Sequence, residues 1–222
     1  MEALQALSLE LGQPSANKLY LTAQSRGLDV TRDLVNALVK QQSGRQILAA
    51  RPKYEGKIVA TKVNDRWAAD LIDYAERKAE GYQYILLVQD TFSKKVWGVA
   101  TKDKKAATVL GAFEHIVRSA GKPRELDTDQ GPEFEYEFDD YLEEENIIHT
   151  VADKRNKNAR GSLDYAIGSF RATLARLQMA TKKKWNQVVA DAVHAVNATV
   201  HQGMLSRTPA EVAKDKDAQF LL

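Results

Sequence analysis

The amino-acid sequence predicts an α/β fold, in which a mixed five-stranded sheet is flanked by helices and preceded by a small helical module. The main observation is the order of segments after residue 65: three strands, a helix, a strand, a helix, a strand and two helices. Short polar connections between the first three strands favour antiparallel pairing, whereas the last two strands arrive after helices. A chain of 222 residues with 44% hydrophobic residues is large enough to bury such a core.

The beginning of the chain has the periodicity of three short helices. Gly12 ends the first helix, Ser15 is a candidate N-cap for the second, and Thr31 is a candidate N-cap for the third. The last two helices, joined by GLDV, resemble a helix-turn-helix, although any helical hairpin can show this pattern. We therefore predict a helical, helix-turn-helix-like module at 1–45 and a basic linker at 46–64.

The segment from 65 to 215 contains the predicted sheet, and a short tail follows at 216–222. Its strands are apolar runs of strand length bounded by turn-forming residues. In order, they are RWAADLIDYA, YQYILLVQDTF, KVWGVAT, RELDT and IIHTV. The predicted helices are DKKAATVLGAFEHIVRSAG, EFDDYLEEEN, 162–181 and 185–200.

Composition excludes several classes of protein. The chain has no cysteine, which rules out a disulfide framework and any zinc site with cysteine ligands. No apolar run approaches the roughly 18 residues that span a bilayer, and the N-terminus lacks the basic region of a secretory signal. We therefore expect no membrane partner, and we recognise no targeting signal.

Charge is distributed unevenly along the chain. Residues 61–150 carry 12 Lys and Arg against 19 Asp and Glu, whereas residues 151–222 carry 12 against 6. An acidic centre beside a basic flank suits a protein that holds cations centrally and polyanions around them. A solvated acidic helix at EFEYEFDDYLEEEN accounts for most of the acidic excess, so this support is modest.

Three aspartates lie where the predicted sheet could bring them together. Asp70 lies in the first strand, Asp129 ends the fourth strand, which would pair with the first, and Asp164 lies in the first turn of a long helix. Converging carboxylates repel one another unless cations neutralise them, and Mg²⁺ prefers carboxylate oxygens. Two divalent ions held in this way can stabilise the attacking and leaving oxygens of a phosphoryl displacement.

The residues around these aspartates have weaker predictions. Gly131, in LDTDQGPEF, would let a phosphate backbone approach closely. Because exposure is the default for Asp and Glu, we predict peripheral positions for Asp73, Asp90, Asp127 and Glu133.

A basic loop, DKRNKNARG, precedes the helix that carries Asp164. Such a loop beside a metal site suits a phosphate track, although its composition fits a solvated loop equally well. The residues predicted to bind nucleic acid are Lys154, Arg155, Lys157, Arg160 and Arg171.

Four motifs occur in a characteristic order along the predicted sheet segment. They are RWAADLIDY, GYQYILLVQDTFSKKVWGVATKDK, LDTDQGPEF and NATVHQGMLSRTPAEV. In this order and spacing they resemble the catalytic core of the retroviral-type integrases, within the ribonuclease H-like fold superfamily. The leader PSANKLYLTAQSRGLDVTRDLVNALVKQQ is similar, more loosely, to that of integrases from Polinton (Maverick) transposons.

The resemblance implies a DNA integrase or transposase that trims the 3′ end of element DNA and joins it to target DNA. It implies a DDE-type polynucleotidyl transferase with two Mg²⁺ or Mn²⁺ ions bound by Asp70, Asp129 and Asp164, which are the catalytic residues. It also implies double-stranded DNA as partner, both as element ends and as target, and a homodimer or tetramer as the working form. The expected location is the nucleus, or a virion if the source is a virus.

The sequence departs from the family pattern at the third acid. The family has a glutamate about 35 residues beyond the second acid, whereas this chain has Asp164, with 34 residues between it and Asp129. The family's cysteine-containing zinc module is also missing. Two alternatives therefore stay open: a plain nuclease on the same fold, and a catalytically decayed, integrase-derived protein that binds DNA or assembles on it.

Overall fold

The computed structural model describes residues 1–40, 60–151, 161–204 and 206–220. The helices are α1 (Glu2–Glu10), α2 (Ala16–Ser25), α3 (Arg32–Lys40), α4 (Ala106–Ala120), α5 (Glu137–Glu144), α6 (Gly161–Thr181), α7 (Val189–Asn197), α8 (Pro209–Val212) and α9 (Lys216–Phe220). The strands are β1 (Arg66–Asp73), β2 (Tyr84–Asp90), β3 (Val96–Thr101), β4 (Glu125–Thr128) and β5 (Ile148–Val151). In these ranges, no helix combines the length and the apolar character needed to cross a membrane.

The chain divides into two compact units. One consists of Met1–Pro52 together with Gly168–Leu222, and the other consists of Lys53–Ile167. The first unit carries 14 Lys and Arg against 8 Asp and Glu, and the second carries 18 against 22. The first unit therefore has a positive net charge, and the second unit, which contains the sheet, has a negative net charge.

The helical unit explains why the observed grouping differs from the predicted boundaries at 45, 65 and 215. Apolar residues of α1 to α3 share one core with Ala198, which follows α7. The guanidinium of Arg176 in α6 also donates a hydrogen bond to the carbonyl of Gly12. The N-terminal helices are therefore part of a larger unit, and 46–59 of the predicted linker lies outside the described residues.

The predicted N-caps of this unit are present. The side-chain oxygen of Ser15 accepts from the backbone N–H of Lys18, at 3.4 Å. That of Thr31 accepts from the N–H of Leu34, at 3.3 Å. Each bond satisfies one of the N–H groups that a helix start leaves without an intrahelical partner.

Over the described residues, the second unit contains a mixed sheet of five strands in the order β3-β2-β1-β4-β5. The pairs β1–β2 and β2–β3 are antiparallel, and the pairs β1–β4 and β4–β5 are parallel. The predicted fold class, including the pairing of the fourth strand with the first, is confirmed.

One face of the sheet is covered by α4 and α5. Trp67 of β1 and Leu126 of β4 are fully buried there against Phe113 of α4 and Phe138 of α5. Because successive side chains of a strand point to opposite faces, the residues between these positions face the other side of the sheet. That other side carries the polar groups described next.

Candidate active site

The packing of Trp67 determines which face of β1 carries Asp70. The indole of Trp67 lies 4.6 Å from that of Trp97 and meets the Phe113 ring edge-on at 6.3 Å, measured between ring centroids. Its Nε1 donates to Asn64 Oδ1 at 3.2 Å. Asp70 lies three positions along the strand, and this odd offset places it on the face opposite this aromatic core.

Asp70 lies on that opposite face, and Asp129 directly follows β4, the strand that pairs with β1. The parallel register pairs Ala68 of β1 with Asp127 of β4, and Asp70 and Asp129 each lie two residues further along the chain. Both side chains are half-buried, and Oδ1 of Asp129 is shielded from solvent. We call this side of the sheet, with Asp70, Asp127 and Asp129, the acidic face.

An ion pair clamps β1 to β4 one strand period before the two aspartates. Arg66 donates from Nε to Asp127 Oδ2 at 2.6 Å and from a terminal nitrogen to Oδ1 at 2.7 Å. Its guanidinium also lies 3.1 Å from Glu125 Oε1. Hydrogen bonding to Asp127 raises the pKa of Arg66 above its usual value. Asp127, predicted to be peripheral, is therefore a buried part of the clamp.

Removing this clamp should destabilise the sheet. We expect Asp127→Asn to lower the free energy of unfolding by about 3 kcal/mol, the lower end for breaking a buried ion pair, because Arg66 keeps some access to water. Urea unfolding monitored by tryptophan fluorescence measures the change. Asp73→Asn, at the exposed end of β1, is the control and should stay within about 0.5 kcal/mol of wild type. A loss no larger than the control would show that the pair does not hold the strands.

The turn DTFSK after β2 is built around a buried aspartate. Asp90 Oδ1 accepts from the N–H and the hydroxyl of Ser93, at 2.6 and 2.7 Å. Its Oδ2 accepts from the N–H of Asn64, at 2.8 Å. Asp90 was predicted to be peripheral, yet it is fully buried and organises the turn.

This turn and β2 hold the start of α6 on the acidic face. Ser162 donates to Oε1 of the buried Gln89 at 3.0 Å and accepts from Lys94 Nζ at 3.1 Å. Gln89 pairs with Ala68 in the β1–β2 register, which places it on the same face as Asp70. Gln89, Lys94 and Ser162 were not predicted. The sequence signal that could have indicated this contact is Gln89, a polar residue near the end of the apolar run YILLVQD.

Asp164 lies in the first turn of α6, two residues beyond Ser162, and its side chain is exposed. The buried positions next to it are Leu163 and Ala166, so Asp164 lies beside the core-facing side of the helix. Within the described part of the chain, no three His, Cys, Asp or Glu side chains form a group that could hold a metal ion. Asp70 and Asp129 therefore lie in or directly after neighbouring strands, and among the described residues Asp164 forms no group of three with them.

The predicted nucleic-acid contacts are only partly visible. Lys154, Arg155, Lys157 and Arg160 lie outside the described residues. Arg171 is exposed on α6, in the part of that helix that belongs to the basic unit.

An open cleft of about 680 Å³ lies beside Asp129. Its lining includes Asp139 of α5 and His149 of β5. Tyr136 stands on its rim with 74% of its surface exposed and with a left-handed backbone, φ 55°, a rare conformation for a bulky residue.

Gly131 lies in the same cleft and packs against the carboxylate of Glu133. A Cβ placed on Gly131 would lie 2.7 Å from Glu133 Cδ. In this structure, the absence of a side chain at Gly131 therefore leaves room for Glu133. The close approach of a phosphate backbone remains a prediction.

The residues of the acidic face lie within a segment that matches a known family. Residues 60–157 match the family model of the integrase core domain. This integrase core match includes Asp70, Asp129 and the DTFSK turn, and it ends before Asp164. No curated protein sequence matches the chain significantly.

Solved retroviral integrases share the fold. The HTLV-2 integrase catalytic core domain in complex with magnesium, in its trimeric form, aligns with a TM-score of 0.59 at 21% identity, over 68% of this chain and 97% of that one. The BIV integrase catalytic core domain aligns with a TM-score of 0.58 at 16% identity, over 72% and 99%. A chain of the simian T-cell lymphotropic virus intasome in complex with PP2A regulatory subunit B56 gamma gives 0.65 at 15%, over 87% and 68%. The sheet thus has the ribonuclease H-like fold of integrase cores.

Proposed function

We propose that this protein is a DNA integrase or transposase that trims the 3′ ends of element DNA and joins them to target DNA. The observation that carries the proposal is the parallel pairing of β1, which contains Asp70, with β4, which leads directly into Asp129, in a ribonuclease H-like sheet inside the integrase core match. Two carboxylates of this kind fit a divalent cation, since Mg²⁺ is usually held by one or two carboxylates together with water and substrate phosphates.

The residues of the acidic face have different roles in the proposed reaction. Asp70 and Asp129 hold the cation at the centre, and the Arg66–Asp127 clamp keeps their strands in register. Asp164 stands apart from them in this structure and would supply the third carboxylate when metal binds. Hydrogen bonds from Ser162 to Gln89 and from Lys94 to Ser162 hold the start of its helix. Two bound Mg²⁺ or Mn²⁺ ions would activate the attacking oxygen and stabilise the leaving oxygen of an in-line displacement.

The proposed binding of DNA rests on basic residues and on an exposed aromatic ring beside Asp129. The basic loop DKRNKNARG and Arg171 bind phosphates, and the exposed ring of Tyr136 beside Asp129 offers a surface on which a base can stack. Holding two element ends requires at least a dimer. Solved HTLV-2 cores occur in trimeric and dimeric forms, which supports oligomerisation as a property of this fold.

The source we propose is a Polinton-type element, on the resemblance of the leader at 14–42. Such an enzyme acts in the nucleus, or enters it with a virion. A test is the recovery of junctions from cells: element DNA with the cognate ends should be found joined to chromosomal DNA when the protein is expressed and not with Asp129→Asn.

A joining assay with randomised DNA ends tests the function directly. The protein is incubated with duplex oligonucleotides whose terminal segment is randomised, a supercoiled plasmid and Mg²⁺ or Mn²⁺, and joined products are amplified and sequenced. An integrase yields junctions enriched in particular end sequences. Nicked plasmid without junctions indicates the plain nuclease, and DNA binding without either product indicates the decayed protein.

The hydrogen bonds of Ser162 with Gln89 and Lys94 anchor the start of α6, and we call them the helix anchor. We expect Ser162→Ala to lower the joining rate by about 10–100-fold, as loss of a group that orients a metal ligand typically does. The matched control is Ser119→Ala in α4, which removes only a local bond from Ser119 Oγ to the Ile116 carbonyl. Equal rates for the two variants would show that the anchor does not position Asp164.

A further inference from the structure

A chain of hydrogen bonds leads from α5 to the backbone of Asp129. Asp139 Oδ1 lies 2.5 Å from His149 Nδ1, and His149 Nε2 lies 2.7 Å from Thr128 Oγ1. The hydroxyl of Thr128 in turn donates to the carbonyl oxygen of Asp129 at 3.0 Å. All four residues belong to the sheet unit, and the cleft beside Asp129 is also lined by Asp139 and His149.

The direction of each bond follows from the donor at Thr128. A hydroxyl has one proton, and Thr128 gives it to the Asp129 carbonyl, so Thr128 must accept its other bond from a protonated Nε2 of His149. The opposite ring nitrogen, Nδ1, lies against the carboxylate of Asp139. The histidine therefore acts as a donor toward β4.

The order Thr–His–Asp matches that of a nucleophilic triad, but the geometry excludes such a role. Thr128 is fully buried, with 0% of its surface exposed, and its proton is committed to a backbone carbonyl. A substrate cannot reach its oxygen. The bonds instead hold a backbone position.

The position that they hold is where β4 leaves the sheet. The pairing of β4 with β5 ends at Thr128 opposite Val151, so Asp129 is the first residue beyond the ladder. Catalytic constellations require side chains held to within about 0.5 Å, and a carbonyl fixed by Thr128 limits rotation of the peptide that carries the Asp129 side chain.

We propose that His149 is a positioning residue, which, through Thr128, orients Asp129 and thereby sets the protein's affinity for divalent cations. This inference rests on the proposed function, in which Asp129 is a metal ligand. Asp139 supports it by fixing the orientation of the His149 ring.

Two substitutions of His149 separate the two halves of the chain of bonds. In His149→Gln, the longer side chain can place an amide donor where Nε2 stood, so the bond to Thr128 can be kept. In His149→Asn, the shorter amide reaches only the position of Nδ1, so the bond to Thr128 is lost. At Thr128 itself, Thr128→Ser keeps the hydroxyl and Thr128→Val removes it at nearly equal size.

The measurement is Mn²⁺ binding by the full-length protein without DNA, followed through the electron paramagnetic resonance signal of free Mn²⁺. We expect His149→Asn and Thr128→Val to raise the dissociation constant about 10–100-fold, and His149→Gln and Thr128→Ser to stay within a factor of about three. The control is Ser119→Ala, which removes only a local bond to the Ile116 carbonyl in α4 and should leave Mn²⁺ affinity unchanged.

The outcomes separate this inference from the proposed function. If the wild type binds Mn²⁺ and joins DNA, while His149→Asn or Thr128→Val binds Mn²⁺ with wild-type affinity, the positioning role is wrong and the function stands. An equal loss in Ser119→Ala would also overturn the inference, since any lost hydrogen bond would then have the same effect. A wild type that neither binds Mn²⁺ nor joins DNA overturns both.

Discussion

Asp129→Asn will abolish both DNA cleavage and DNA joining while leaving the protein folded. The substitution keeps the size of the side chain but removes the charge that attracts a divalent cation. We expect a loss of at least about 10²–10³-fold, which removal of a single stabilising donor from an active site already causes. Asp70→Asn should have the same effect, because in the proposed mechanism both carboxylates bind the cation. The joining assay measures the rates, and thermal unfolding without metal measures the stability.

The folded state of these variants distinguishes a lost site from a lost fold. Two neighbouring carboxylates repel each other, so each Asn variant should unfold at the same temperature as wild type or higher when no metal is present. Asp73→Asn is a matched control in the same strand, since Asp73 is exposed and faces the opposite side, and it should keep full activity. Retained joining by Asp129→Asn would remove the basis of the mechanism.

Asp164→Asn will also abolish joining, whereas Asp164→Glu will raise it several-fold. The first turn of α6 is tied to β2 through Ser162, and from there Asp164 does not reach the other two aspartates to form a group of three. Glutamate adds one methylene to the reach of the carboxylate. Mg²⁺ requires ligand distances of about 2.0–2.1 Å, so a ligand of better reach improves the site.

The two variants of Asp164 should be measured together with both Mg²⁺ and Mn²⁺. Unchanged joining by Asp164→Asn would show that the third carboxylate is unnecessary. A lower rate for Asp164→Glu than for wild type would show that the helix start approaches the sheet more closely on metal binding than it does here. If wild type and Asp164→Glu are both inactive with either metal, the decayed, DNA-binding protein becomes the better account.

The sheet could be predicted because its signals are local. Apolar runs of strand length, the helices between them and the N-cap residues Ser15 and Thr31 can each be read from a few neighbouring residues. Strand order then followed from connection rules, which correctly placed the fourth strand next to the first. We predicted one continuous helix at 185–200. In the structure, its first turn is a 3₁₀ turn at Trp185–Val188, and α7 ends at Asn197.

The contacts that shape the site could not be predicted because they join distant parts of the chain. Arg66 and Asp127 are 61 positions apart, and Gln89 and Ser162 are 73 positions apart. Periodicity indicates the face of a strand but not the partner that meets it there. For this reason Asp127 and Asp90 were assigned to the periphery, although both are buried.

The contacts of the N-terminal helices also join distant parts of the chain. The helices at 1–45 have their own caps and turns, and for this reason the sequence predicts a separate module there. Their apolar residues share a core with Ala198, at the other end of the chain. A deletion of 1–45 would therefore open the core of the helical unit as well as remove any DNA contacts.

The most direct test of the central claim is an anomalous difference map from crystals of the protein soaked with Mn²⁺. We expect a peak bound by carboxylate oxygens of both Asp70 and Asp129, with Asp164 bound directly or through one water. The same crystals of Asp129→Asn should lack the peak. A map in which wild-type crystals show no ion between Asp70 and Asp129, although Mn²⁺ is present elsewhere on the protein, would contradict the metal-dependent mechanism.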